Sequence, residues 1–258
     1  MNPAHVAFLI STALFFGIIV CLDIGYRIGR RGLAKNHVSA HEGIGVIEAA
    51  VFALLGLLLA FSFAGGTSRL DTKRQLIVQE ANAIGTAYLR LDELPADEQP
   101  PIRRLFRDYL DARLRVYEKL PNLEAAEEEL TRVAELQHDI WLRAVAACRN
   151  DPTQNAARLL LPAINEMIDV TTARKIAMYT QLPRLIFILL TVVALISGLL
   201  AGYAMAKRMS RSWLHMVLYA AVIAVTVYAV LDLEYPRFGL IRIDEADRAL
   251  IQLRDSIH

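Results

Sequence analysis

The residues best placed to do chemistry are few, and most of them have a structural explanation. Glu48 stands at the head of a long apolar run, where an ionised carboxylate is costly enough to mark either a working group or an ion-paired one. On a helix it lies about 180° from Leu57, so pairing with Arg27 or Arg30, or a place near lipid headgroups, accounts for it. Arg69 and Arg74 follow where that run turns polar. They could form a basic ring that attracts anions, or bind lipid phosphate or a nearby carboxylate. His37 and His41 are four apart, and two imidazoles without a third ligand make no metal motif. Asp244-Glu245-Ala246-Asp247 spells a helicase signature without any nucleotide-binding pattern around it. Acidic residues at a helix start explain it, as they explain Glu124, Glu127, Glu128 and Glu129. Cys21 and Cys148 belong to different environments and are not expected to pair.

No GxSxG, HExxH, Walker loop or strand-linked GxGxxG is present, so neither an enzyme nor a cofactor or metal site is expected. A net charge of +1 gives no reason to expect nucleic acid as a partner. The composition points to lipid instead: 55% of the 258 residues are hydrophobic and mean hydropathy is +0.36. Four uncharged runs, Val6 to Leu22, Ala49 to Ser68, Leu185 to Ala206 and Ser212 to Leu231, are each long enough to cross a hydrocarbon layer of about 30 Å. The tail before the first lacks Lys and Arg and no cleavage pattern follows, so a retained span is expected. Asp23 to Glu42 reads as a polar loop, and Trp213 as an interfacial anchor.

The second span organises the chain. Beyond Arg69 the residues become polar, yet Leu70, Ile77, Ile84 and Leu91 recur every seven positions with Ala81 and Tyr88 at the half-steps. That periodicity predicts one helix over Gly43 to Leu94, leaving the bilayer and continuing as a packing seam. Gly65-Gly66 is the place where it could bend. An amphipathic helix follows with a stripe of Ile102, Phe106, Tyr109, Leu110 and Leu114. A third runs from Leu123, capped by Pro121-Asn122, to about Arg149. A fourth opens at Asn150-Asp151-Pro152 and is expected to be interrupted at Pro162 and Pro183. After the last span come a turn at Glu234 to Gly239, the alternating run Leu240-Ile241-Arg242-Ile243 and a final helix from Asp244. The fold expected is therefore all-α: membrane helices in 1–68 and 184–231, a helical extramembrane layer in 69–183, and an extramembrane tail in 232–258. Basic residues near the span ends divide almost evenly between the two sides, so charge does not fix the orientation.

The string Leu58-Leu59-Ala60-Phe61, with Arg69, Arg74 and Asn82 at fixed offsets after it, resembles the second-helix signature of bestrophins, which are pentameric ion channels. The wider run from Gly56 to Pro95, with Leu231 to Ile243, resembles a bacterial membrane family described as bestrophin-like. The resemblance implies a homo-oligomer, a pentamer in bestrophins, in a plasma membrane. Lipids would surround it, the helical layer would be cytoplasmic, and permeant ions, with anions among the candidates in keeping with bestrophins, would pass along the second helix. It carries the pore lining onto Val46, Ala50, Ala53, Leu57 and Phe61, with a hydrophobic neck at Ala53, Leu57 and Phe61, Arg69 and Arg74 as the basic mouth, and Asn82 as a signature position. Spacing allows this, since these five pore-lining positions share one helical face. The chain departs from the bestrophin pattern at Ser62 and Leu70-Asp71, and no counterpart of the calcium clasp is present. The alternative is a membrane-anchored helical scaffold or signalling protein that keeps the fold without conducting.

Overall fold

A computed structural model describes residues 3–34, 44–119, 123–150, 154–206 and 212–257. Among the described residues every regular element is helical: α1 (Pro3–Ala34), α2 (Ile44–Leu89) with a 3-10 turn at Arg90–Glu93, α3 (Gln99–Lys119), α4 (Leu123–Arg149), α5 (Asn155–Tyr179), α6 (Arg184–Ala206), α7 (Trp213–Glu234) and α8 (Asp244–Ser256). Helices α1, α2, α6 and α7 are each long and apolar enough to span a membrane. The chain divides into two compact units, Met1–Leu70 with Gln181–Ile241, and Asp71–Thr180 with Arg242–His258.

In the first unit α1 and α6 run parallel and approach at backbone distance. Any side chain at Gly25 would collide with the Leu199 carbonyl, and any at Gly202 with that of Leu22. Both belong to small-xxx-small pairs, Gly25-Gly29 and Gly198-Gly202. Such pairs hold helices together in lipid, where burying apolar surface gives no advantage and close van der Waals contact must do the work. The crossing also corrects the expected loop after Leu22. α1 continues to Ala34 because Gly25 and Gly29 extend its seam and Asp23 accepts a 2.7 Å hydrogen bond from Arg27 Nε one turn on. Against α1 packs α7, with Leu14, Ile18, Leu190, Met216, Ala220 and Val227 in the shared core. Polar groups within this core bond locally: the Tyr219 hydroxyl donates to Ser197 Oγ at 2.8 Å, which in turn donates to the Ala194 carbonyl at 2.7 Å.

The turn after α7 is built on Asp232. Its carboxylate accepts the backbone N–H groups of Leu240 (3.0 Å) and Ile241 (2.8 Å). It fills the space a side chain at residue 239 would need, so only glycine fits there. These bonds fold Leu240 and Ile241, the start of the alternating run, into a bend.

The second unit is held by the seam that the heptad spacing predicts. Leu70 at its upper limit and Ile77, Ala81, Ile84, Tyr88 and Leu91 beyond it are all buried. Ile102, Phe106, Tyr109 and Leu110 of α3 are buried as well, with the Phe106 ring edge-on to Tyr88 at 5.9 Å, while Leu114 is half-buried. α2 is unbroken through Gly65-Gly66. α5 is likewise unbroken at Pro162, against expectation. Proline removes the bond to the carbonyl four residues back, and beside it Arg90 Nη1 donates to the Leu159 carbonyl at 2.7 Å. His37, His41, Lys35, Gly43, Pro121-Asn122 and Asp151-Pro152 lie outside the described residues.

Candidate functional site along the second helix

The register of α2 separates two faces. Leu55, Ser62 and Gly66 are buried, and Phe52 and Gly66 meet Tyr219 and Leu233 of α7. On the opposite side Val46, Ala50, Ala53, Leu57 and Phe61 are all exposed, Leu57 by 52% and Phe61 by 67%. These five fall within about 40° of Leu57 on a 3.6-residue helix. Flanking them are Ala49, Gly56, Ala60 and Ala64, also exposed. Such small residues permit close helix neighbours. The proposed neck is thus not buried inside its own chain. Asn82 is exposed as well.

The two mouth arginines have partners. Arg69 grips Glu234 with Nε 3.1 Å from Oε1 and Nη2 on the same oxygen, while the Leu182 N–H donates to Oε2 at 3.2 Å. A single carboxylate, 2% exposed, therefore ties α2, α7 and the approach to α6. Charge-assisted, two-pronged contacts of this kind are among the stronger ones available to a side chain. Arg74 lies 3.8 Å from Asp71 and 3.5 Å from the Arg242 carbonyl. By register Arg69 is about 120° and Arg74 about 100° from Leu57, on opposite sides.

By register Glu48 shares the side of Leu55 and Gly66, with its Oε1 buried and without a hydrogen-bond partner. Of the roles expected for it, pairing with Arg27 is not seen, since Arg27 turns to Asp23. Ser11 Oγ is the other buried side-chain atom left without one among the described residues. Alongside, Gly25, Ile28, Ile47, Leu199, Leu200 and Tyr203 line an apolar groove of about 250 Å³.

The second unit contains a feature that sequence reasoning missed. Glu80 is fully buried and accepts Arg113 Nε on Oε1 at 2.6 Å and Nη2 on Oε2 at 2.9 Å, with Arg174 Nη1 also on Oε2. Arg174 also reaches Asp247 of α8 at 3.3 Å, and both guanidiniums face the Tyr117 ring, at 5.6 and 4.4 Å. Burial alone would raise the Glu80 carboxyl, but the two guanidiniums outweigh it and hold the group below the usual carboxylate range. Nearby, burial pushes the Tyr109 hydroxyl up to about 12, although it bonds Thr171 Oγ1 at 2.9 Å and Gln137 Nε2 at 3.2 Å. A legible signal existed: Glu80 follows Ile77 by three and precedes Ile84 by four, on the apolar seam.

Fold and surface together define a four-span, all-helical membrane protein whose second helix keeps one apolar face uncovered. The Bestrophin-like domain family matches residues 7–247, and the chain belongs to that family. No curated protein matches it, and no solved structure does.

Proposed function

We propose that the chain is the protomer of a homo-oligomeric ion channel, pentameric as bestrophins are. In this reading α2 lines the axis, and Leu57 and Phe61 form a hydrophobic neck beneath the smaller Val46, Ala50 and Ala53. Such a constriction gates by dewetting and passes ions once widened. The observation that carries the proposal is the poor coverage of α2 by its own chain. Only 11% of its most apolar window is buried, against 28 to 39% in the other three spans. That exposed face holds both the neck residues and the small residues that would let identical helices pack side by side. The segment 69–183 is assigned outside the bilayer on the cytoplasmic side of the plasma membrane, and lipid covers the remaining apolar surface.

Bilayer recording of the reconstituted protein, wild type against Phe61→Ala, tests this. Widening the neck should raise the current. Absence of current from both proteins favours the non-conducting scaffold, and equal currents from both move the constriction away from Phe61. Labelling of Glu128→Cys, an exposed site on α4, from each side of a sealed vesicle reads the orientation.

A further inference from the structure

The face of α2 that carries the neck can be followed along the same helix past the end of its apolar run. Its next exposed positions are Ala64, Ser68, Asp71 and Gln75, which stay within about 40° of Leu57. From Val46 to Asn82, Asp71 is the one charged residue within about 60° of that line. The basic groups nearby point elsewhere. Arg69 is turned aside and paired with Glu234, and Lys73 is buried on the opposite side of the helix. Arg74 is off the line and meets Asp71 only at 3.8 Å, with side chains 46% and 64% exposed. A pair so long and so open to water leaves most of the carboxylate's field in place.

We infer that Asp71 sets the ion preference of the pore: repeated around the axis, it forms a carboxylate ring just beyond the neck and selects cations. The inference rests on the channel reading above and reverses the sign that a ring of Arg69 and Arg74 would impose. Rings of acidic side chains favour cations by raising their local concentration.

The test is the reversal potential of the full-length reconstituted protein under a potassium chloride gradient. The wild type should prefer potassium, and Asp71→Asn should lower the potassium-to-chloride permeability ratio by about tenfold. Arg74→Gln, which frees the carboxylate from its neighbour, should raise the ratio. To separate charge from folding, Asp71→Cys is modified after assembly. A thiol-reactive sulfonate should restore cation preference, and a thiol-reactive quaternary ammonium should abolish or invert it. A ratio unchanged by Asp71→Asn and by both modifications overturns the role of Asp71 while leaving the channel standing. A wild type that prefers chloride, with that preference lost in Arg74→Gln, assigns selectivity to the basic ring instead. Silence of the wild type removes the channel reading and this inference with it.

Discussion

The two units hold their helices together by opposite means. In the first, α1 and α6 touch through Gly25 and Gly202, with side-chain volume removed so that backbones can meet. In the second, the seam is filled by Ile77, Ile84, Phe106 and Tyr109, and a buried carboxylate shared by two arginines is set among them. The contrast follows from the surroundings each sequence implies. Where lipid replaces water, burying leucine against leucine gains nothing over leaving it in acyl chains, so proximity is what stabilises. Where water is the alternative, large apolar side chains supply the drive, and a paired charge buried among them fixes which helices meet, provided every hydrogen bond is made.

Four experiments would break or sharpen that contrast, and the protein's two tryptophans, Trp141 in the second unit and Trp213 in the first, allow each unit to be followed separately. Glu80→Gln should have the largest effect. It leaves the buried Arg113 guanidinium without its counter-charge and Arg174 with Asp247 alone, and should cost about 3–5 kcal/mol, seen as early unfolding in Trp141 fluorescence. Acid removes the same interaction. Because the folded carboxyl titrates below its unfolded value, its stabilisation is complete above about pH 4.3 and is lost as pH falls through the folded value. The acid transition should therefore appear at Trp141 in the wild type and shrink in Glu80→Gln. Second, Gly202→Val should force α1 from α6 at about 1–3 kcal/mol or more, this time reported by Trp213. A loss seen at Trp141 instead would contradict the division of labour. Third, Asp232→Ala strands two backbone donors and should cost about 1–3 kcal/mol, with faster hydrogen exchange at Leu240 and Ile241. Smallest is Glu129→Gln. That carboxylate, held below its usual range chiefly by the Lys119 hydrogen bond and also by Arg115, meets partners 39 and 40% exposed. Thermal unfolding should shift by less than about 1 kcal/mol.

Much of the fold could be read from periodicity. The four apolar runs, the heptad seam from Leu70 to Leu91, and the α4 limits at Leu123 and Arg149 follow from local pattern alone. What could not be read depends on partners distant in the chain. Arg69 could be read as a ring residue, a lipid-phosphate ligand or a carboxylate partner, and the sequence could not choose because Glu234 lies 165 residues away. α1 looked short because the residues that prolong it are glycines, whose role is apparent only once Leu199 and Tyr203 are set against them. Gly25-xxx-Gly29 and Gly198-xxx-Gly202 were nonetheless visible as spacings and would have predicted the crossing. The exposed line of Leu57 and Phe61 was legible as a helical face. Its lack of cover within the chain was not, since coverage is a property of the packed structure.

The grip of Arg69 on Glu234 has a mechanical corollary. Because one carboxylate fastens the end of the second helix's lipid segment to the seventh and to the approach of the sixth, sliding α2 lengthwise would break both prongs of the Arg69 contact at once. Tilting or rolling about that anchored end disturbs them least. Leverage then grows with distance along the rod, so a small rotation at Arg69 moves Val46 farther than Phe61. A pore built this way would open like a fan pivoting at its rivet, with the widest sweep at the end farthest from the pin.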